Sequence, residues 1–346
     1  MMKTEAATKF KPVVHPGAWK SKDLAEHPAL VFELGPQHLQ ALEEALSPVA
    51  GEHAESLTRE CFDLSRIEDD LLVLREQVLQ GLGVAIIRGF PVERYDESDL
   101  ARLFFGLGTY FGDAVSQSRM GDRLGHVVDA SSDPNERGYR SSRELSFHTD
   151  SDDIVMMLCV RPATRGGVNR FTSSLTVYND LVRHAPESLS PLFEGYRYHW
   201  RGEAPDGEPP ITDYTVPVLS SREDVLSCVF LRFFIEMAAD ELGEPLSDGQ
   251  INALDKFEQY ASDASNVFEI RLEAGDVFII NNFTVLHSRT AFEDDPPPSP
   301  GRHLMRLWLK CPGVRPLVEG VRRYYGVDGI QLRAGEGTIY RPRKAR

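Results

Sequence analysis

Apolar residues recur along the chain with two different periods, and the change of period divides it. From Gln37 to Leu46 they fall at helical spacing, with Leu39, Leu42 and Leu46 on one side. A longer helical pattern runs from about Glu55 to Gln80, with Leu64, Ile67, Leu71, Leu74 and Val78 on one face. Residues 1–35 contain Pro, Lys and His with little periodicity, and are expected to form an arm on the surface. Gly81-Leu82-Gly83 ends the helical region. Val84 to Phe90 then reads as a buried strand, and Asp96 to Asp99 opens a further helix through Phe111.

Beyond this helix the pattern is mostly β. Val115 to Ser118 and His126 to Asp129 are short and β-like, and the polar loop from Asp129 to Arg143 has the composition of a lid. Strands are predicted over Ile154 to Val160, Asn169 to Ser174, Tyr196 to Trp200, Tyr214 to Leu219 and Val225 to Phe230. A last β block covers Val267 to Leu272, Val277 to Asn281, Phe283 to Arg289 and His303 to Lys310. Helices are predicted from Leu175 to His184 and from Ser247 to about Ala261. No repeat of solenoid or propeller length is present. The expected architecture is mainly β with flanking helices, a β-sandwich or jelly roll. It is expected as a single domain, with an arm and helices over 1–80, a core over 81–312 carrying a helical insertion at about 175–265, and a tail over 313–346.

Charge and composition narrow the partners. The formal net charge of −15 opposes general affinity for nucleic acid or an anionic membrane, but leaves an anionic small molecule open wherever arginines cluster. The longest apolar run, Ile154 to Val160, is far too short to span a bilayer, and the N-terminus shows no apolar signal region. The four cysteines, Cys61, Cys159, Cys228 and Cys311, are widely spaced with no Cys-x-x-Cys pair. They are expected to be buried free thiols in a reducing compartment, which points to the cytoplasm. A homo-oligomer remains open.

Candidate chemistry begins at His148-Thr149-Asp150. In an extended chain residues i and i+2 share a face, so one metal ion could be held by both side chains. With a second histidine this becomes the 2-His-1-carboxylate triad of non-haem iron oxygenases. Alone the motif is weak, since ten histidines make roughly 0.7 chance matches expected. His287 lies near a strand end in the second β block, where a closing sheet could bring it to the first pair. From its position alone, a satisfied core histidine is the commoner outcome. Fifteen residues on, Arg302 and Arg306 lie four apart on one strand face with Leu304. Paired guanidinium groups pointing inward would need anions, whereas edge arginines would sit in ordinary salt bridges.

Taken together, His148-Thr149-Asp150, the Gly166-Gly167 turn, Gly275-Asp276 leading to His287, and Arg302-x-x-x-Arg306 resemble the taurine dioxygenase-like family of Fe(II)- and 2-oxoglutarate-dependent oxygenases. The resemblance spans about residues 80 to 312 and implies a double-stranded β-helix, the clavaminate synthase-like jelly roll. It implies that His148, Asp150 and His287 bind Fe(II), with 2-oxoglutarate as cosubstrate and O2 as oxidant. Arg302 would hold the distal carboxylate of 2-oxoglutarate. Asn169 stands where the family usually has Thr or Ser helping that contact, a departure in which an amide replaces a hydroxyl donor. Arg306 matches a position that in some relatives contacts an anionic substrate or shares the cosubstrate. Gln117 and Arg232 match positions near the substrate cavity.

The resemblance implies oxidative decarboxylation to succinate and CO2 coupled to hydroxylation of a small anionic or zwitterionic metabolite, amino-acid-like or a sulfonate. Halogenating relatives lack the carboxylate ligand, so Asp150 argues for hydroxylation. Desaturation and cyclisation stay open. Readings of another kind are a cupin-type metal-dependent isomerase or hydrolase, and a metal-free jelly-roll binding module. Neither calls for the arginine pair.

Overall fold

The computed structural model describes residues 10–129, 141–296, 299–321 and 329–332. The chain enters through residues 10–20, the short helix α1 (Ser21–Ala25) and an edge strand β1 (Val31–Glu33). Next come α2 (Pro36–Leu46), α3 (Glu68–Leu79), β2 (Val84–Arg88) and α4 (Glu97–Gly108). The β core then starts with β3 (Asp113–Ala114), β4 (Leu124–Val128), β5 (Leu145–His148), β6 (Ile154–Arg161), β7 (Arg165–Gly166) and β8 (Asn169–Ser173). A helical segment follows, with α5 (Ser174–His184), α6 (Leu189–Glu194), the hairpin β9 (Leu219–Arg222) and β10 (Val225–Cys228), α7 (Arg232–Leu242) and α8 (Asp248–Ala261). The chain returns to the core with β11 (Phe268–Ile270), β12 (Val277–Asn281), β13 (Val285–Arg289), β14 (Phe292–Glu293) and β15 (His303–Lys310).

Two sheets carry the core. The larger runs β1-β2-β12-β6-β15, with β3 and β4 both pairing β15. The smaller runs β11-β8-β13-β5. All pairings are antiparallel except β1 with β2. The apolar runs of the larger sheet are continuous because both its faces are covered. Ile154, Met156 and Leu158 of β6, Val277 and Ile279 of β12, and Met305, Leu307 and Leu309 of β15 pack with α2, α3 and α4. The alternate residues Val155, Met157, Phe278, Ile280, Leu304 and Trp308 face the smaller sheet, with Phe171 and Val285. Each such side chain contributes about 1.5–3 kcal/mol on burial. A third cluster packs the helical segment on the outer face of the smaller sheet through Phe147 and Leu286. This is the jelly roll that the resemblance implied.

Four expectations change. The N-terminal arm is embedded: Trp19, Leu24 and Leu30 are buried, the Trp19 indole donates to the Leu82 carbonyl at 2.8 Å, and β1 extends the larger sheet. The long helix expected over 55–80 is α-helical only from Glu68. Asp63 Oδ1 accepts from the Ser65 amide at 2.8 Å, a local bond that competes with the helix ladder. The stretches Tyr196 to Trp200 and Tyr214 to Val218 form only isolated bridges, Tyr196 with Val216 and His199 with Ile211, and the expected strand Tyr214 to Leu219 meets β9 only at Leu219. Cys61 is exposed, hydrogen-bonded to Thr58, while the other three cysteines are buried. Residues 130–140 of the expected lid lie outside the described residues. No described helix is long and apolar enough to cross a membrane.

One glycine is fixed by packing. A Cβ on Gly106 of α4 would meet the Phe62 ring at 2.4 Å, so α4 approaches that aromatic only through glycine.

Candidate metal centre

The registers of the smaller sheet bring the two histidines side by side. His287 of β13 is paired directly with His148 of β5, and their ring centroids lie 4.3 Å apart. The next pair is Arg289 with Leu145, so β5 holds one extra residue between the two pairs. This bulge turns both Leu145 and His148 toward the interior, while Phe147 packs outward. Beyond the strand end the alternation continues. Thr149 points away, its amide donating to the Phe230 carbonyl at 2.9 Å and its hydroxyl accepting from the Phe230 amide at 3.0 Å. Asp150 therefore points in.

Asp150 Oδ1 lies 3.7 Å from His148 Nε2, and Oδ2 lies 3.9 Å from His287 Nε2. One ligand atom from each of the three residues falls within 4.8 Å of the others. The turn after β12 fixes the carboxylate's backbone. Asn282 Oδ1 accepts from the Asp150 amide at 3.0 Å, and its Nδ2 donates to the Ser151 carbonyl at 2.9 Å.

The electrostatics suit metal ligands. Burial raises the Asp150 carboxyl, but Arg306, the two imidazoles and the Trp308 indole outweigh it and hold the group at about 2. Oδ2 accepts from Arg306 Nη1 at 3.1 Å and from Trp308 Nε1 at 2.8 Å, which leaves Oδ1 as the oxygen free to coordinate. Burial, and secondarily His148, push the His287 imidazole down to about 3, so it is neutral and its lone pair is available. His148 Nδ1 donates to the Ser146 carbonyl at 2.8 Å, which fixes the tautomer and leaves the lone pair on Nε2. Two imidazoles and a charged carboxylate on one face fit a divalent first-row metal with open positions.

Beside the triad a cavity of about 410 Å³, counted out to its mouth, is lined by Val127, Met157 and Phe278 together with Arg289, Arg302 and Arg306. Arg302 lies here with Asn169. Burial lowers its guanidinium to about 10, and the group stacks 5.1 Å from the Phe292 ring centroid. Among the described residues it makes no ion pair and no side-chain hydrogen bond. A buried unpaired cation is costly, so this one is prepared for an anion. The Gly166-Gly167 turn lines an adjoining cleft that shares Asn169 and Arg302 with this cavity. Both glycines have φ near +70°, and a Cβ on Gly166 would sit 2.2 Å from the Ala291 carbonyl oxygen.

The other expected residues divide. Arg306 lines the cavity, but it is held by Asp150 and, at 2.7 Å, by Gln117 Oε1. Gln117 is not in the cavity wall: its Nε2 donates to the Arg123 and Arg306 carbonyls, so it braces Arg306. Arg232 is not brought to the site. Glu236, Asp255 and Glu258 of α7 and α8 hold its guanidinium at 2.6 to 2.7 Å on the helical segment. Trp308, Asn282 and Arg289 belong to the site and had not been singled out. Arg289 alone carried a readable signal, two residues after His287 on the same strand face. A second cluster, Glu97, His126 and His303, lies on the helix-covered face of the larger sheet, where the two imidazoles contact each other at 2.9 Å.

Comparison with known proteins bears on the family and the fold. Residues 45–308 match the model of the taurine catabolism dioxygenase TauD, TfdA family. The FR-33289 synthase of Streptomyces rubellomurinus is 30% identical over 308 residues, covering 86% of this chain and 90% of that protein. A taurine hydroxylase-like protein, SAT17 of Stachybotrys chartarum, is 28% identical over 266 residues, covering 72% of this chain and 67% of its own. An asparagine oxygenase solved with Fe(II), 3-hydroxyasparagine and succinate superposes with a TM-score of 0.63 at 17% identity, over 88% of this chain and 99% of that one. The non-haem iron oxygenase OrfP, solved with Fe and 2-oxoglutarate, gives 0.61 at 16% identity, over 87% and 99%. At those identities the solved structures speak for the fold.

Proposed function

The chain belongs to the taurine catabolism dioxygenase TauD, TfdA family of Fe(II)- and 2-oxoglutarate-dependent oxygenases, and on that premise we propose that it hydroxylates a small anionic or zwitterionic, amino-acid-like metabolite. His148, Asp150 and His287 hold the iron, and Arg302 with Asn169 holds the distal carboxylate of 2-oxoglutarate. The observation that carries this reading is Arg302, a buried guanidinium in the cavity beside the triad with no counterion among the described residues.

When bound, the iron supplies O2 activation coupled to decarboxylation of 2-oxoglutarate to succinate and CO2, with one oxygen atom delivered to a substrate C–H bond. The residues supply geometry. His148 presents Nε2 because Nδ1 is engaged by Ser146. Asp150 presents Oδ1 because Arg306 and Trp308 occupy Oδ2. His148, Asp150 and His287 would hold the iron from one face and so leave it room for the cosubstrate's keto-acid end and for O2. Arg302 sets the direction in which the cosubstrate lies, and Val127, Met157 and Phe278 keep that wall dry. Because Asp150 keeps a carboxylate at the metal, hydroxylation is favoured over halogenation.

Among the described residues, three arginines and one carboxylate, Asp150, line the cavity, and Fe(II) with dianionic 2-oxoglutarate would leave that balance positive. That charge balance favours a substrate with an acidic group. The test is succinate release over a panel of amino acids, sulfonates and their charge-blocked amides or esters, with product mass read alongside. Acid-bearing compounds are expected to stimulate succinate release and to gain one oxygen. Equal stimulation by blocked compounds contradicts the substrate class, and loss of two hydrogens assigns desaturation or cyclisation instead.

A further inference from the structure

We infer that Arg289 is a second anion-binding arginine of the cosubstrate pocket, sharing with Arg302 the distal carboxylate of 2-oxoglutarate. This rests on the reading above, in which Arg302 marks the distal end of that pocket.

Register places the residue. On β13, His287 and Arg289 face the same interior, and Arg289 pairs across to Asn169 of β8 while His287 pairs to Phe171. Moving from the metal ligand to Arg289 therefore moves along the sheet to the level of Asn169, the end at which Arg302 lies. Arg289 and Arg302 also share a neighbour: their guanidinium carbons stand 4.7 and 5.1 Å from the ring centroid of Phe292.

Arg289 is 4% exposed, and its Nε is buried with no hydrogen-bond partner among the described residues. Its Nη2 donates to the Ser141 carbonyl at 2.6 Å and to the Arg143 carbonyl. It makes no ion pair among the described residues. Arg289 and Arg302 line one cavity, so two cations share a closed space.

Two buried guanidinium groups on one ring and in one cavity call for one shared anion. A carboxylate has two oxygens and about four acceptor sites, enough for the fork of Arg302, the Nε–H of Arg289 and the amide of Asn169. Asn169 Nδ2 has only a 3.5 Å contact to the Gly167 carbonyl and can turn to such an acceptor. The carbonyls held by Nη2 belong to the segment that leads into β5, so an anion seated on Arg289 would also steady the approach to His148.

The experiment is an anaerobic titration of the Fe(II)-loaded protein, following the visible charge-transfer band, with 2-oxoglutarate and with pyruvate, a keto acid lacking the distal carboxylate. Arg289→Gln is expected to weaken 2-oxoglutarate about 10- to 100-fold, as loss of a charged hydrogen bond does, and to leave pyruvate affinity unchanged. Arg289→Lys is expected to recover part of the loss. Unchanged 2-oxoglutarate affinity overturns the inference, and so does an equal loss for both keto acids, which marks a structural role. Arg302→Gln in the same titration separates the two levels: if it leaves 2-oxoglutarate affinity untouched, the assignment of the pocket itself fails.

Discussion

The indole Nε1 of Trp308 donates to Oδ2 of Asp150 at 2.8 Å, on the oxygen that Arg306 reaches at 3.1 Å. Two donors on one oxygen turn a carboxylate with two equivalent faces into a ligand with one. Trp308 and Arg306 lie two apart on β15, so the inner face of a single strand orients the group. Such partners typically change metal affinity 10- to 100-fold. Trp308→Phe keeps the ring and removes the donor. It is expected to weaken Fe(II) binding by about that factor at near-normal thermal stability, measured by anaerobic metal titration. Unchanged affinity contradicts the assignment of Oδ1 as the coordinating oxygen.

Asn282 fixes the same carboxylate from the backbone side, with its amide bonded to residues 150 and 151. Asn282→Ala leaves buried polar groups unsatisfied and is expected to cost about 1–3 kcal/mol in urea unfolding. Because Asp150 then loses its anchor, Fe(II) affinity should fall together with stability. A variant that unfolds more easily but binds Fe(II) as tightly as wild type limits Asn282 to a structural role.

Acid sensitivity follows from His303. Burial first, then His126 and Arg161, push its imidazole down to about 3. Between that value and an unfolded value of about 6.5, the unfolded chain binds a proton that the folded chain refuses. Stability is therefore complete above about pH 6.5 and is lost as pH falls toward 3, by about 2 kcal/mol at pH 5 from this group. Urea unfolding of chelator-treated protein at pH 7.5 and 5 should show His303→Gln with that much less pH dependence than wild type. Identical pH dependence would mean that His303 is protonated in the fold.

Arg232 gives the opposite kind of prediction. Its three carboxylate partners tie α7 to α8, and its side chain is partly exposed. Arg232→Ala should cost about 1 kcal/mol or less and leave the KM for substrate and for 2-oxoglutarate within twofold. A large rise in either KM would return Arg232 to the substrate site.

What the sequence displayed was whatever period and spacing encode. The i, i+2 relation placed His148 and Asp150 on one side, and the alternation of β15 put Arg302 and Arg306 with Leu304 on the inner face. The ends of β12 and β15 were readable from their apolar runs, and Ser247 with Gln250 marked the start of α8 through a capping box. Other features depend on partners distant in sequence. The bulge that turns His148 inward exists only in the pairing of β5 with β13. Helix α7 was missed, since Phe233, Phe234 and Ile235 follow a strand-like run without a stop signal. Arg232 resembled a cavity residue until the carboxylates of two helices were brought around it. Trp308 looked like one more apolar residue of a strand, because its hydrogen bond to Asp150 crosses 158 positions.

The central claim is that His148, Asp150 and His287 hold one Fe(II) beside a 2-oxoglutarate pocket. Anaerobic addition of Fe(II) and then 2-oxoglutarate, followed by O2 and succinate assay, tests it most directly. Wild type should develop the visible charge-transfer band at one iron per chain and release succinate, and Asp150→Ala and His287→Ala should lose both signals. Absence of the band and of succinate in wild type, or an Asp150→Ala protein that retains them, would contradict the account.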